Sequence, residues 1–225
     1  MKLITRMMTL LSFLIMFQYG AYAANNSIYV DQIGDGTTIS LTQTGSGNQI
    51  GSTAKRSSFT GNNNLVNVQQ IGNQNVVNMD VVGTGATITN TITGNNNQVD
   101  LVCDSCTGGT IEKQITGNGN AITMTNDGLT NTKIKIESDN NSVTMTNNTS
   151  SVAGVNNDID ISGGNGNQVT LDQTGAASTE GHFFKLVVVG AMNLFNIGQG
   201  GTVDSKIDAT VTGSSNTVTI KSNHQ

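Results

Sequence analysis

Glycine recurs at Gly61, Gly72, Gly83 and Gly94, and three places after each stand Asn64, Asn75, Ala86 and Asn97. This period of eleven is the strongest constraint on the fold. A helix broken at every eleventh residue by Gly and Asn is disfavoured, because both are poor helix formers. Between the breaks, inward and outward residues alternate, as in Asn75, Val77, Met79 and Val81. A period of two marks a strand with one buried face, and Val, Ile and Thr suit such a strand. Each unit therefore reads as seven residues of strand and four of turn, with the turn glycine tolerating a positive φ.

Two units make a coil of ~22 residues. Taking alternate units produces a column of asparagines: Asn48, Asn75, Asn97, Asn120, Asn141, Asn167, Asn193 and Asn216. Two places after each stands an apolar residue: Ile50, Val77, Val99, Ile122, Val143, Val169, Phe195 and Val218. The other column is looser. It begins with Ile39-Leu41-Gln43 and Val66-Val68-Gln70, and continues through the pairs Ile88/Ile92, Ile111/Ile115, Ile134/Ile136, Ile159/Ile161, Leu186/Val188 and Ile207/Val211. Lys113 falls at an inward position there, which suggests a slip of register nearby. The fold expected is all-β, a β-solenoid of about eight coils with two short strands per coil. Ile28-Val30-Gln32 forms an opening half-coil, and Gly51–Thr60, Thr107–Thr110 and Ala176–Gly181 are expected to bulge as loops.

The asparagines share the parity of the buried valines, so their amides should face inward. A buried amide without partners costs about 2–7 kcal/mol. Eight of them would exceed the roughly 5–15 kcal/mol net stability of an ordinary domain. In stacked strands each amide can bond the like amide above and below, and the column is predicted to form such an inward ladder. Terminal coils then leave open edges that can template another chain.

The first residues stand apart. Lys2 and Arg6 precede the apolar run Met7–Phe17, which is short for a membrane span, and Ala21-Tyr22-Ala23 has a small-x-small cleavage pattern. Residues 1-23 read as a secretory signal peptide, leaving 24-225 as the repeat domain, with no membrane segment after cleavage. Without Lys2 and Arg6, 8 basic residues remain of the 10, against 15 acidic ones. Such a balance argues against a nucleic-acid partner.

The motif residues resemble the curlin family, the secreted subunits of bacterial curli fibres. The family repeat places Gln-x-Gly-x-x-Asn before an alternating apolar pair and a further Gln. Gln32-Ile33-Gly34, Gln43 through Gly45 to Asn48, and Gln70 through Gly72 to Asn75 match it, and Gln173-Thr174-Gly175 preserves its first part. The resemblance implies an amyloid-forming solenoid that builds biofilm matrix or mediates surface attachment. Its partners would be copies of itself, other curli-like subunits or a cell surface. The chain departs from the family in two respects. The Gln before the glycine becomes Val81, Ile92, Ile115, Ile136, Val188 and Val211, and there are more coils than the family's usual few. An adhesion fibre or stalk on a phage or cell surface is the alternative.

Other chemistry is sparse. Cys103 and Cys106 form CDSC, and secretion favours a local disulfide across the turn. A redox pair would need a βαβ setting, and zinc would need further ligands at suitable spacing. His182 is expected in a loop, facing solvent. Gly163–Asn167, "GGNGN", resembles half of a calcium-binding repeat without its aspartates. Thr123/Thr125, Thr144/Thr146 and Thr170 align as on a flat ice- or carbohydrate-binding face, interrupted by Asp80, Asp100, Asp172 and Lys221. No nucleophile-base arrangement is visible, so the sequence predicts neither an enzyme nor a cofactor.

Overall fold

The computed structural model describes residues 25–82, 87–102, 110–127, 130–148, 155–174 and 182–224. All their regular structure is β, in parallel strands that coil into a solenoid. One sheet stacks β1 (Ser27–Ile28), β4 (Gln49–Ile50), β7 (Val76–Val82), β9 (Gln98–Val102), β11 (Ala121–Asp127), β13 (Ser142–Asn148), β15 (Gln168–Thr174), β17 (Leu194–Gly201) and β19 (Thr217–His224). Its first two rungs are each broken in two, so β2 (Val30–Ile33) and β5 (Ser57–Thr60) continue them. The facing sheet stacks β3 (Thr38–Thr44), β6 (Leu65–Ile71), β8 (Thr87–Thr93), β10 (Thr110–Thr116), β12 (Thr130–Lys135), β14 (Val155–Asp160), β16 (His182–Val189) and β18 (Ser205–Thr212).

The two inner faces supply one continuous core. Val77, Val99, Ile122, Val143, Val169 and Phe195 of the predicted column are buried in line, as is Ile50 above them. Met79, Leu101, Met124, Met145, Leu171 and Ile197 form a second buried row beside them. Each buried side chain of this size contributes about 1.5–3 kcal/mol. Among the described residues, the first and last rungs have a neighbouring rung on one side only. Val30, Ile39, Leu41, Ala209, Val211, Val218 and Ile220 are therefore only partly buried.

Two expectations need correction. The register does not slip at Lys113. That residue lies opposite Asn90 and Ile134 in unbroken ladders, and its side chain is fully buried in an inward slot. The long excursion in the second coil is also shorter than expected. Ser57–Thr60 is strand β5, paired with β2 and β7, so only the segment from Gly51 to Arg56 departs from the coil. Thr110 likewise begins β10. The signal segment, Gly83, Ala86, the Cys103/Cys106 pair and the Ala176–Gly181 stretch lie outside the described residues.

Backbone bonding has a direction along the rod. Outward residues at strand starts donate to the following coil, as in Gln49 N to Asn75 O, Gln98 N to Asn120 O and Leu194 N to Asn216 O, each at 2.8 Å. Inward residues donate to the preceding one, as in Ile136 N to Gln114 O at 3.0 Å. The outward N–H groups of β19 and β18 consequently point away from the molecule's own coils.

Candidate functional site

The asparagine column opens each strand of the first sheet just after a tight turn. The chain reverses there through a glycine and a residue in the left-handed region, such as Asn96 at φ 56°. Gly94 shows why the first position is glycine. Its φ is +121°, and a Cβ on it would stand 1.8 Å from Gly117 O of the next coil. At this positive φ and close approach, a residue without a side chain lets successive turns stack at strand spacing, about 4.7–4.9 Å.

From Asn48 to Asn193 the predicted ladder residues are buried, and Asn216 at the last rung is half-buried. Each Oδ1 accepts from the backbone N and from the Nδ2 of the asparagine in the following coil. For Asn97 on Asn75 these distances are 3.1 and 3.0 Å, for Asn120 on Asn97 3.0 and 3.1 Å, and for Asn216 on Asn193 3.0 and 3.0 Å. Asn141 and Asn167 repeat the pattern. The second amide hydrogen reaches the carbonyl of the next coil's glycine, as in Asn75 Nδ2 to Gly94 O at 2.8 Å. Two rungs depart from this around Ser138, which stands in place of a turn glycine: Asn120 Nδ2 reaches Ser138 O at 2.7 Å, and Asn141 turns back to Ser138 Oγ at 2.9 Å and Asp139 O at 3.1 Å.

Sequence reasoning missed two features here. The ladder begins one rung earlier, at Asn26, whose Oδ1 accepts from Asn48 N at 2.9 Å. Asn26 lacked the glycine three places before it that marks most of the column. A second, exposed ladder runs beside the buried one. Asn73 N and Nδ2 donate to Asn95 Oδ1, Asn95 to Asn118 Oδ1 and Asn118 to Asp139 Oδ1, at 2.6–3.1 Å. Its sequence signal was present as the Asn directly after Gly72, Gly94 and Gly117.

The motif glutamines divide into an upper pair and a lower one. Gln43 Nε2 donates to Gln70 Oε1 at 2.7 Å, and Gln70 Nε2 to Gln49 O and Asn75 O. Gln173 Nε2 donates to Gln199 Oε1 at 2.6 Å. Gln32, on the first rung, is exposed and bonds Gly34 O at 2.7 Å. Gly45 and Gly72 occupy turns, while Gly175 lies outside the described residues. His182 corrects a further expectation. It opens β16, is fully buried, and its Nδ1 lies 2.9 Å from Ser205 Oγ. The strand extends further toward the preceding turn than its apolar pattern implied.

The outward faces differ in character. On the first sheet, Thr123, Thr144 and Thr170 align, as do Thr125 and Thr146, but Asp100, Asn196 and Asp172 interrupt the columns. On the second, one column alternates in charge over five rungs: Glu112, Lys133, Asp158, Lys185 and Asp208. Opposite charges on directly neighbouring strands attract, and a shift of one rung would bring like charges together. In Gly163–Asn167, Asn165 Oδ1 accepts from Asp139 N and Asn167 belongs to the buried ladder, so these residues serve the turn. Among the described residues no group of three or more His, Cys, Asp or Glu side chains is placed to hold a metal.

The fold and this column define a class: a two-sheet parallel β-solenoid whose interior carries hydrogen-bonded amide ladders and whose two ends are unfinished rungs. Comparison with family models, with curated proteins and with solved structures found no match to this chain.

Proposed function

We propose that this chain is a secreted, curlin-like structural protein that assembles end to end into an extracellular fibre serving matrix or attachment. The observation that carries the reading is the state of the two ends. Val30, Ile39 and Leu41 at one end, and Ala209, Val211, Val218 and Ile220 at the other, occupy core positions with only one neighbouring rung. Asn216 Oδ1 sits where every earlier rung accepts from a following asparagine. A second copy would cover this apolar surface and continue the backbone ladder, the usual fate of an unprotected strand edge.

Geometry also sets how a copy would add. The first sheet has nine rungs from β1 to β19 and the second has eight from β3 to β18. The next strand position along the solenoid path is therefore above β18, not above β19. A following copy would place β1 and β2 on β18 and β3 on β19, turned by half a revolution about the rod. Ile207 and Ala209 would then meet Ile28 and Val30, and Val218 and Ile220 would meet Ile39 and Leu41.

The test is seeded growth of the purified mature chain, followed by an amyloid dye and by fibre diffraction for the repeat at about 4.7–4.8 Å. Growth with that repeat supports the fibre, and a monomer that persists at high concentration overturns it. The aligned but interrupted threonines lend no comparable support to an ice- or carbohydrate-binding role.

A further inference from the structure

Lys113 and Asn90 are direct neighbours on adjacent parallel strands, paired in register between β10 and β8. Both side chains point into the core, where they are 0% and 1% exposed. The surrounding inward positions are apolar: Ile88, Ile92, Ile111, Ile115 and Ile134. Neither Lys113 Nζ nor either polar atom of Asn90 has a hydrogen-bond partner. Two orphaned groups of this kind are costly to keep, since each buried polar atom without a partner costs about 1–3 kcal/mol. They are also, chemically, a nucleophile and an acyl donor.

We propose that Lys113 and Asn90 react with each other to form an intramolecular isopeptide bond that staples the two coils. The Lys113 Nζ lone pair attacks Asn90 Cγ, a new Nζ–Cγ bond forms, and the Cγ–Nδ2 bond breaks. Nδ2 leaves as ammonia, carrying one proton from Nζ. No oxidant, reductant or second substrate is needed. Burial pushes the Lys113 amine down to about 7, against a smaller opposing pull from Asp100, so much of it is the free base that can attack. Rotation about the lysine side chain brings Nζ to Cγ, because strands at about 4.7–4.9 Å separation lie within a lysine's reach. Holding the pair in one dry site substitutes for catalysis through high effective molarity, about 10⁵–10⁸ M in well-oriented cases. The product removes the ionisable amine and the Asn90 Nδ2 group and leaves one neutral secondary amide. This inference stands on the core of the rod and does not depend on fibre formation.

The experiment is intact mass spectrometry of the folded mature chain after reduction of its cysteines, repeated as the sample ages. The expected result is loss of one ammonia, about 17 Da. Trypsin should no longer cleave after Lys113, and a protease that cuts before aspartate, acting at Asp100 and Asp104 between the two residues, should release a branched peptide joining the Asn90 and Lys113 segments. A succinimide at an asparagine loses the same mass, so Lys113→Met and Lys113→Arg serve as controls. Both should retain the full mass, and Lys113→Met fills the slot with an apolar chain of similar length. Full mass in the aged wild-type chain overturns the proposal. So does a loss that persists in Lys113→Met, or the absence of the branched peptide.

Discussion

Single residues in this protein differ in value according to how many rungs they join. Asn97 accepts from Asn120 N and Nδ2, donates to Asn75 Oδ1, and bonds Gly117 O at 2.8 Å. Asn97→Ala orphans groups in two neighbouring coils at about 1–3 kcal/mol each. Its melting temperature should fall well below that of wild type, whereas Asn216→Ala, at an end where nothing stacks beyond it, should fall much less. Equal losses in thermal unfolding would show that the ladder does not act as a continuous chain. Lys113 should impose a pH dependence wherever its amine stays free, as in Asn90→Leu. Its folded value of about 7 lies below its ordinary 10.5, so between those values the unfolded chain binds more protons. Stability must therefore rise with pH across that window and be lost as pH falls toward 7. The change should be on the order of a few kcal/mol, and it should vanish when Lys113→Met is added. Melting curves of the two variants across the window check this.

At the scale of elements, turns and outward columns specify the register. Gly94→Ala places a methyl group against Gly117 O and strains a positive φ, so the turn and the rungs on both sides of it must shift. Large destabilisation or failure to fold is expected, seen as lost protection of β8 through β11 in hydrogen exchange. The charge column predicts a milder effect. Lys185→Glu lines up Asp158, the new carboxylate and Asp208 on successive strands. Each like-charged neighbour should cost about 0.2–1 kcal/mol, and added salt should recover most of the loss. A loss insensitive to salt would point to packing in place of charge.

At the scale of the whole molecule, what matters is that the rod has two ends, and among the described residues neither end has a rung stacked beyond it. Outward N–H groups of β19 and β18 face away from the preceding coils, so Thr219→Pro and Thr210→Pro remove donors that the monomer does not use. Proline on an edge strand blocks pairing from that side. These variants should match the wild type in thermal stability and fail to extend seeds. Continued growth in the double variant would mean that copies add elsewhere.

Much of this was legible in the sequence because stacking makes repetition a physical requirement. An eleven-residue period, a parity shared by Asn48 and Ile50, and an inward count of amides too costly to leave unpaired led to strands, turns and a ladder. The later rungs of the looser column resisted, because Thr132, Asn157 and His182 stand at inward positions that composition assigns to the surface. Lys113 suggested a slip for the same reason. Only the tertiary structure could place these residues, since a register held by backbone bonds over a whole strand overrides the preference of one side chain. It alone showed that Asn90 and Lys113, 23 residues apart in sequence, stand side by side. The chain's own pattern determined that it would coil. Which side chains meet across the coils was decided by the heights at which successive strands came to rest.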